Sequence, residues 1–146
     1  MNTDHLRFMR RAIYLAKLGK ENDGGAFGAV IVKNGEIVAE GFDKVKSLSD
    51  CTQHAELSVI QKACRKLGST TLADCILYTS CEPCMMCLGA CYWAKFQKIY
   101  YGASALQAKE NGFIYSNMFY TSDRGARHKE FHLEQLLANE ALEVWN

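Results

Sequence analysis

The chain has 146 residues, 49% of them hydrophobic and 23% charged, with a formal net charge of +1. That length is enough for one domain with its own core, and a near-neutral balance argues against affinity built mainly on neutralising phosphates. No apolar run approaches the roughly 18 residues of a membrane span, and the N-terminus lacks the apolar core of a signal peptide. We therefore expect a single domain over 1–146, cytoplasmic, with neither a membrane nor a nucleic acid as partner. The seven cysteines are odd in number and come without a secretion signal. Metal ligation plus buried free thiols is the expected use, with Cys64 and Cys75 as core thiols, and a disulfide framework is not.

Leu6, Met9, Ile13 and Ala16 recur at helical spacing from about Asp4 to Lys20, and Thr3 or Asp4 is available as a cap. Asn22 to Gly25 reads as a turn. Ala26 to Lys33 is apolar and β-branched toward its end, Asn34-Gly35 is a strong hairpin signal, and Glu36 to Gly41 returns as the antiparallel partner. Gly28 inside the first strand marks a bulge, a close ligand approach or a packing contact. Phe42 to Gln53 is polar and reads as a loop able to carry substrate contacts. A helix is expected from near His54 through Leu57, Ile60, Cys64 and Leu67 to Gly68, which suits a left-handed helix end.

Cys75 to Thr79 is the next strand, Cys84 to about Trp93 a helix, and Gln97 to Gly102 a fourth strand. Beyond it the pattern weakens. Ala103 to Asn111 reads as helical, Phe113 to Tyr120 is aromatic without a clear period, and Ser122 to Lys129 looks like a loop. Phe131, Leu133, Leu136, Leu137, Leu142, Val144 and Trp145 suggest one amphipathic C-terminal helix. No internal repeat or second domain is visible.

Chemistry concentrates in two places. Cys84 and Cys87 stand three apart directly after Pro83, so on a first helical turn their sulfurs lean to one face, as two ligands of one tetrahedral metal must. Proline suits the first helical position, which puts both cysteines near a helix N-terminus, where unpaired N–H groups favour the thiolate that binds zinc. His54 is the best third ligand, because Glu56 follows it by two residues, and H-x-E with P-C-x-x-C is the pattern of a zinc hydrolytic deaminase. Three protein ligands leave the fourth position for a water that zinc makes acidic near neutral pH. Glu56 then need not bind metal and can carry the proton from water to a ring nitrogen and to the departing ammonia. The alternative is a closed structural site, with Cys91, Cys51 or Cys81 as a fourth ligand and the zinc only a staple.

The blocks Gly24 to Val32, His54-Ala55-Glu56 and Cys75 to Ala90 resemble the cytidine deaminase-like superfamily, and the Ser80-Cys81-Glu82-Pro83-Cys84 stretch continuing to Ala90-Cys91-Tyr92-Trp93-Ala94 is most similar to its bacterial guanine deaminases. The likeness covers roughly Asp4 to Gly102. It implies a three-layer α/β/α fold with a central mixed five-stranded sheet, one Zn2+ per chain, a homodimer, and hydrolysis of guanine to xanthine and ammonia. It also implies zinc ligands His54, Cys84 and Cys87, the proton shuttle Glu56, and substrate contacts from Asp43, Phe27, Trp93 and the backbone N–H of Ala55, with that of Cys84 facing substrate or a developing oxyanion. A C-terminal lid exchanged between subunits would fall near 130–146. Relatives usually carry asparagine where this chain has Asp43, and hold the base with an acid beyond the fourth strand, where Glu110, Asn111 and their neighbours stand. Another small nucleobase or nucleoside is therefore an alternative substrate. A tRNA-specific adenosine deaminase is a second alternative, although Glu134, Glu140 and Glu143 make the tail acidic where that activity wants a basic grip. A non-catalytic, zinc-stapled binding module is the third.

Overall fold

A computed structural model describes residues 3–22 and 24–146. The Thr3 side chain, expected as a cap, and Asp23 of the first turn lie outside the described residues. The first helix, α1 (Thr3–Glu21), leads into β1 (Gly28–Lys33) and β2 (Glu36–Phe42). Asn34 and Gly35 between the strands both have positive φ, 51° and 77°, the twist a two-residue hairpin needs. A short helix, α2 (Val45–Leu48), interrupts the stretch expected to be loop. Then come α3 (Ala55–Leu67), β3 (Cys75–Cys81), α4 (Met85–Ala94) and β4 (Lys98–Ala103).

The strands form one sheet in the order β2-β1-β3-β4 and then a fifth strand, β5 (Leu133–Gln135). β1 is antiparallel to β2 and β3, whereas β3, β4 and β5 run parallel. The mixed five-stranded sheet of the expected fold is thus present. Alternation along its strands builds two cores. Val30, Val32, Tyr78 and Tyr100 pack with Phe8, Met9, Ala12 and Leu15 of α1. Ala29, Ile31, Leu77 and Ile99 face the other way, onto Val59 and Ala63 of α3 and Leu88 and Cys91 of α4. This gives the three layers.

Gly28 is a packing glycine. A Cβ there would lie 2.2 Å from the Ala12 carbonyl oxygen of α1, so it lets helix and sheet backbones touch, and the register irregularity of β1 falls elsewhere, between Ile31 and Val32.

Beyond β4 the sequence reading needs correction. Helix α5 (Ala105–Glu110) is as expected and carries a capping box between Ser104 and Gln107. A five-residue helix, α6 (Asn117–Thr121), follows. The supposed loop after it is a helix, α7 (Arg124–Glu130), capped by Asp123 Oδ1, which accepts from the Ala126 N–H at 3.1 Å. The single C-terminal helix is replaced by β5 and α8 (Ala138–Glu143). His132 and Leu137 adopt left-handed φ of 54° and 59°, so no helix runs through them. The leucines that looked like one helical stripe serve both sides of the sheet: Leu133 belongs to the α3/α4 core and Leu136 to the α1 core.

The C-terminal segment sits on its own chain. The Trp145 indole N–H donates to the Ala26 carbonyl at 3.0 Å, Lys20 Nζ donates to the Val144 carbonyl at 2.7 Å, and Arg10 grips Glu140 with two contacts of 3.0 and 3.1 Å. Among the described residues no helix is long and apolar enough to cross a membrane.

Candidate metal centre and active site

His54 and Cys84 each occupy the N-cap position of a helix, α3 and α4, with extended backbone. Pro83 therefore precedes the cap instead of taking the first helical position, and its fixed φ shapes the entry to α4. Each cap carbonyl starts its helix, His54 accepting from the Ser58 N–H at 3.0 Å and Cys84 from the Leu88 N–H at 2.7 Å.

His54 Nδ1 lies 3.5 Å from Cys84 Sγ and 3.6 Å from Cys87 Sγ. A nitrogen and a sulfur about 2.1 and 2.3 Å from one tetrahedral zinc stand about 3.6 Å apart. The donor set fits zinc in both chemistry and spacing. Among the described residues these three form the only cluster with metal-ligand geometry. Cys91 is buried one turn beyond Cys87 and stays outside it, Cys51 is exposed, and Cys81 points to the Tyr115 hydroxyl at 3.0 Å. The protein thus supplies three ligands, as an open catalytic site requires.

The electrostatics around the cluster are strongly shaped. A hydrogen bond from Cys87, helped by His54 and the Cys87 backbone N–H, pulls the Cys84 thiol down to about 4. Cys87, as the donor of that pair, is pushed the other way. The hydrogen bond to Cys84 raises His54. Burial, reinforced by the negative Cys84, lifts the Glu56 carboxyl to about 7.

A cavity of about 420 Å³ opens over the cluster, lined by His54, Glu56 and Cys84 at its base, Phe27, Asp43 and Met86 around it, and Phe113 to Ser116 as the far wall. Asp43 is anchored: its N–H donates to the Phe27 carbonyl at 3.0 Å and its Oδ1 accepts from the Val45 N–H at 3.0 Å. Gly25 makes room for it, since a Cβ at that position would lie 2.6 Å from Asp43 Cγ. Phe113 packs against Phe27 at 5.0 Å and Trp145 at 4.8 Å between ring centres.

Of the residues expected from sequence, His54, Cys84, Cys87, Glu56, Asp43 and Phe27 come together. Ala55 is the fully buried first residue of α3, where a backbone N–H lacks an intrahelical acceptor. Trp93 does not join them in its own chain. It is 73% exposed at the end of α4, against Tyr92, and is absent from the cavity lining. Six residues of helix carry it about 9 Å along the axis from Cys87. Glu110 and Asn111 are exposed and outside the lining as well, so no acid from beyond β4 reaches the cavity. The wall of Phe113, Ile114, Tyr115 and Ser116 leaves no signal in the sequence, because an aromatic stretch without a period does not say which side faces a site.

Residues 2–103 match the family described as the cytidine and deoxycytidylate deaminase zinc-binding region. The chain belongs to this family. It is 46% identical over 140 residues to a guanine deaminase of Bacillus subtilis, an alignment covering 95% of this chain and 90% of the relative. The crystal structure of guanine deaminase from the same organism superposes with a TM-score of 0.77 at 51% identity, over 82% of this chain and 76% of that one. A tRNA-specific adenosine deaminase of Agrobacterium fabrum is 33% identical over 97% of this chain and 91% of its own length. Membership accounts for the His/Cys/Cys site, whose three donors could hold one zinc.

Zinc content per chain separates the open from the closed site. Cys84→Ser is expected to weaken zinc affinity at least about tenfold, while Cys91→Ala keeps one zinc per chain. Zinc loss from Cys91→Ala would point to four protein ligands.

Proposed function

We propose that this protein hydrolyses an aminated purine, guanine foremost, to the keto base and ammonia. The observation that carries this reading is a buried Glu56 beside a three-ligand cluster at the base of a cavity of about 420 Å³. Bound zinc supplies a water acidic enough to attack at neutral pH. Glu56, held near 7 by its burial, sits in the range where a carboxyl both takes and gives protons. It accepts the proton of the attacking water, passes it to the ring nitrogen beside the amino-bearing carbon, and protonates the departing amine, so that one water is consumed and one ammonia released. His54 and Cys84 orient the base of the site, and the Ala55 N–H is a donor toward the substrate.

Phe27 and Phe113 offer apolar faces to a flat ring. Asp43 commits one oxygen to Val45 and keeps the other to accept a substrate N–H. Ionised, it cannot donate to a carbonyl. Guanine carries a ring N–H next to the carbon that bears its amino group, which suits such an acceptor. The alternative of tRNA adenosine is weaker, because α8 brings Glu140 and Glu143 and no basic residue, where a phosphate backbone needs cations.

Trp93, Tyr92, Met85, Ile114 and Met118 are exposed apolar side chains on α4 and near the cavity mouth. They suit a homodimer in which Trp93 meets the partner's cavity. The segment 130–146, which reaches Phe113 through Trp145, is the reading's lid. All seven cysteines are free, which suits a reducing, cytoplasmic setting.

An ammonia-release screen of the zinc-loaded protein on guanine, guanosine, adenine, adenosine, cytosine and isocytosine, with tRNA alongside, tests the reading. Guanine is expected to be turned over fastest, and Glu56→Ala to keep zinc while losing about 10²–10⁴-fold in rate. Turnover of tRNA alone, or activity surviving in Glu56→Ala, would contradict it. Light scattering of wild type and Trp93→Ala tests the dimer, which the substitution is expected to weaken; a wild-type monomer would refute it.

A further inference from the structure

Glu82 lies between the end of β3 and Pro83, two residues before the ligand Cys84, and is only 2% exposed. It is held at every polar position. Its N–H donates to the Ala103 carbonyl at 2.8 Å, its carbonyl accepts the Tyr115 hydroxyl, and Oε1 accepts the Ala105 N–H at 2.9 Å. Oε2 faces Arg127 Nη2 at 3.5 Å, with side chains 2% and 11% exposed. His128 Nε2 is 4.0 Å from the same oxygen. His128 Nδ1 donates to the Arg124 carbonyl at 2.9 Å, and its Nε2 pairs with the Tyr101 hydroxyl, also at 2.9 Å. Arg127, charged at any ordinary pH, is the permanent cation that answers Glu82.

Arg127 also holds the segment behind the cavity wall. Nη1 donates to Ser122 Oγ at 2.7 Å and to the Phe119 carbonyl at 3.4 Å, and the guanidinium lies 4.1 Å over the Phe119 ring. Phe119 is the single buried residue of α6 and meets Tyr115 edge-on at 5.1 Å. The Tyr115 N–H is itself tied to the Tyr120 hydroxyl at 2.9 Å. Phe113 and Tyr115 of the wall are only partly buried, and the ion pair adds a tie from the segment behind them to the metal loop. Stability alone is a poor reason for the pair. Burying two charges costs about what their attraction returns, the contact is long, and Arg127 Nε finds no hydrogen-bond partner among the described residues.

We propose that Glu82 and Arg127 are a positioning pair that locks the Tyr115 wall onto the metal loop, and that this lock sets how tightly the substrate ring is held. Neither touches the reacting atoms. The inference rests on the deaminase reading, and it places control of substrate affinity in Glu82 at the cavity's edge and Arg127 behind it.

The test uses the full-length, zinc-loaded protein with Arg127→Met, which keeps bulk without charge, Arg127→Lys, and Glu82→Gln should the methionine variant not fold. With whichever base the wild type turns over best, Arg127→Met is expected to raise KM about tenfold or more while kcat stays within about threefold and zinc stays at one per chain. Arg127→Lys recovers part of the loss. Amides of residues 113–122 are expected to exchange with deuterium at least about tenfold faster in Arg127→Met. Unchanged KM and exchange, loss of zinc, or a fall in kcat with KM intact would each overturn the proposal. A wild type inactive on every base refutes the deaminase reading instead, and faster exchange in the variant would still uphold the lock.

Discussion

Two helices begin at the same point in space, and most of the site follows from that. His54 starts α3 and Cys84 starts α4, each as an N-cap, and both helices lie on one side of the sheet. A helix start exposes N–H groups with no acceptor and a partial positive charge. Bringing two such ends together creates a place where negative sulfur and a buried carboxyl are tolerated inside an otherwise apolar layer. Cys87 then falls on the first turn of α4, one step from Cys84, and Glu56 on the first turn of α3, two residues from His54. The three metal-ligating candidates and the buried carboxyl are thus placed by backbone geometry before any side-chain packing is considered.

Burial and charge pull the ionisable groups of this site in opposite directions. Cys84 is half-buried, yet hydrogen bonds from Cys87 and His54 outweigh desolvation and carry it far below an ordinary thiol. Glu56 has no comparable donor, so burial wins and its carboxyl rises toward neutrality. The same environment therefore favours a thiolate in one residue and a carboxyl near neutrality in another. Cys91, buried deeper along α4, is held well above an ordinary thiol, chiefly by that burial.

The sequence was legible wherever a local rule dictated structure. The Asn34-Gly35 hairpin, the helix closed by Gly68 and the cysteine pair behind Pro83 each follow from one or two residues and their conformational limits. It was illegible where long-range packing chose among local options. Leu133 and Leu136 have helical spacing, yet the open edge of β4 takes the first as a strand residue. Asp123 is a good cap, but the apolar content of 124–130 is too low to announce a helix. Trp93 and the wall from Phe113 to Ser116 show the same limit at the site: spacing placed the metal cluster, whereas the cavity wall is arranged by contacts such as Tyr115 with Glu82 that no period encodes.

The central claim is a zinc held by one histidine and two cysteines, with one position left to a small light-atom ligand. X-ray absorption at the zinc edge of the loaded protein measures this directly. The account predicts two sulfurs at about 2.3 Å and two nitrogen or oxygen neighbours at about 2.0–2.1 Å, one of them exchangeable. Three or four sulfurs, or a first shell that no added inhibitor can alter, would contradict it.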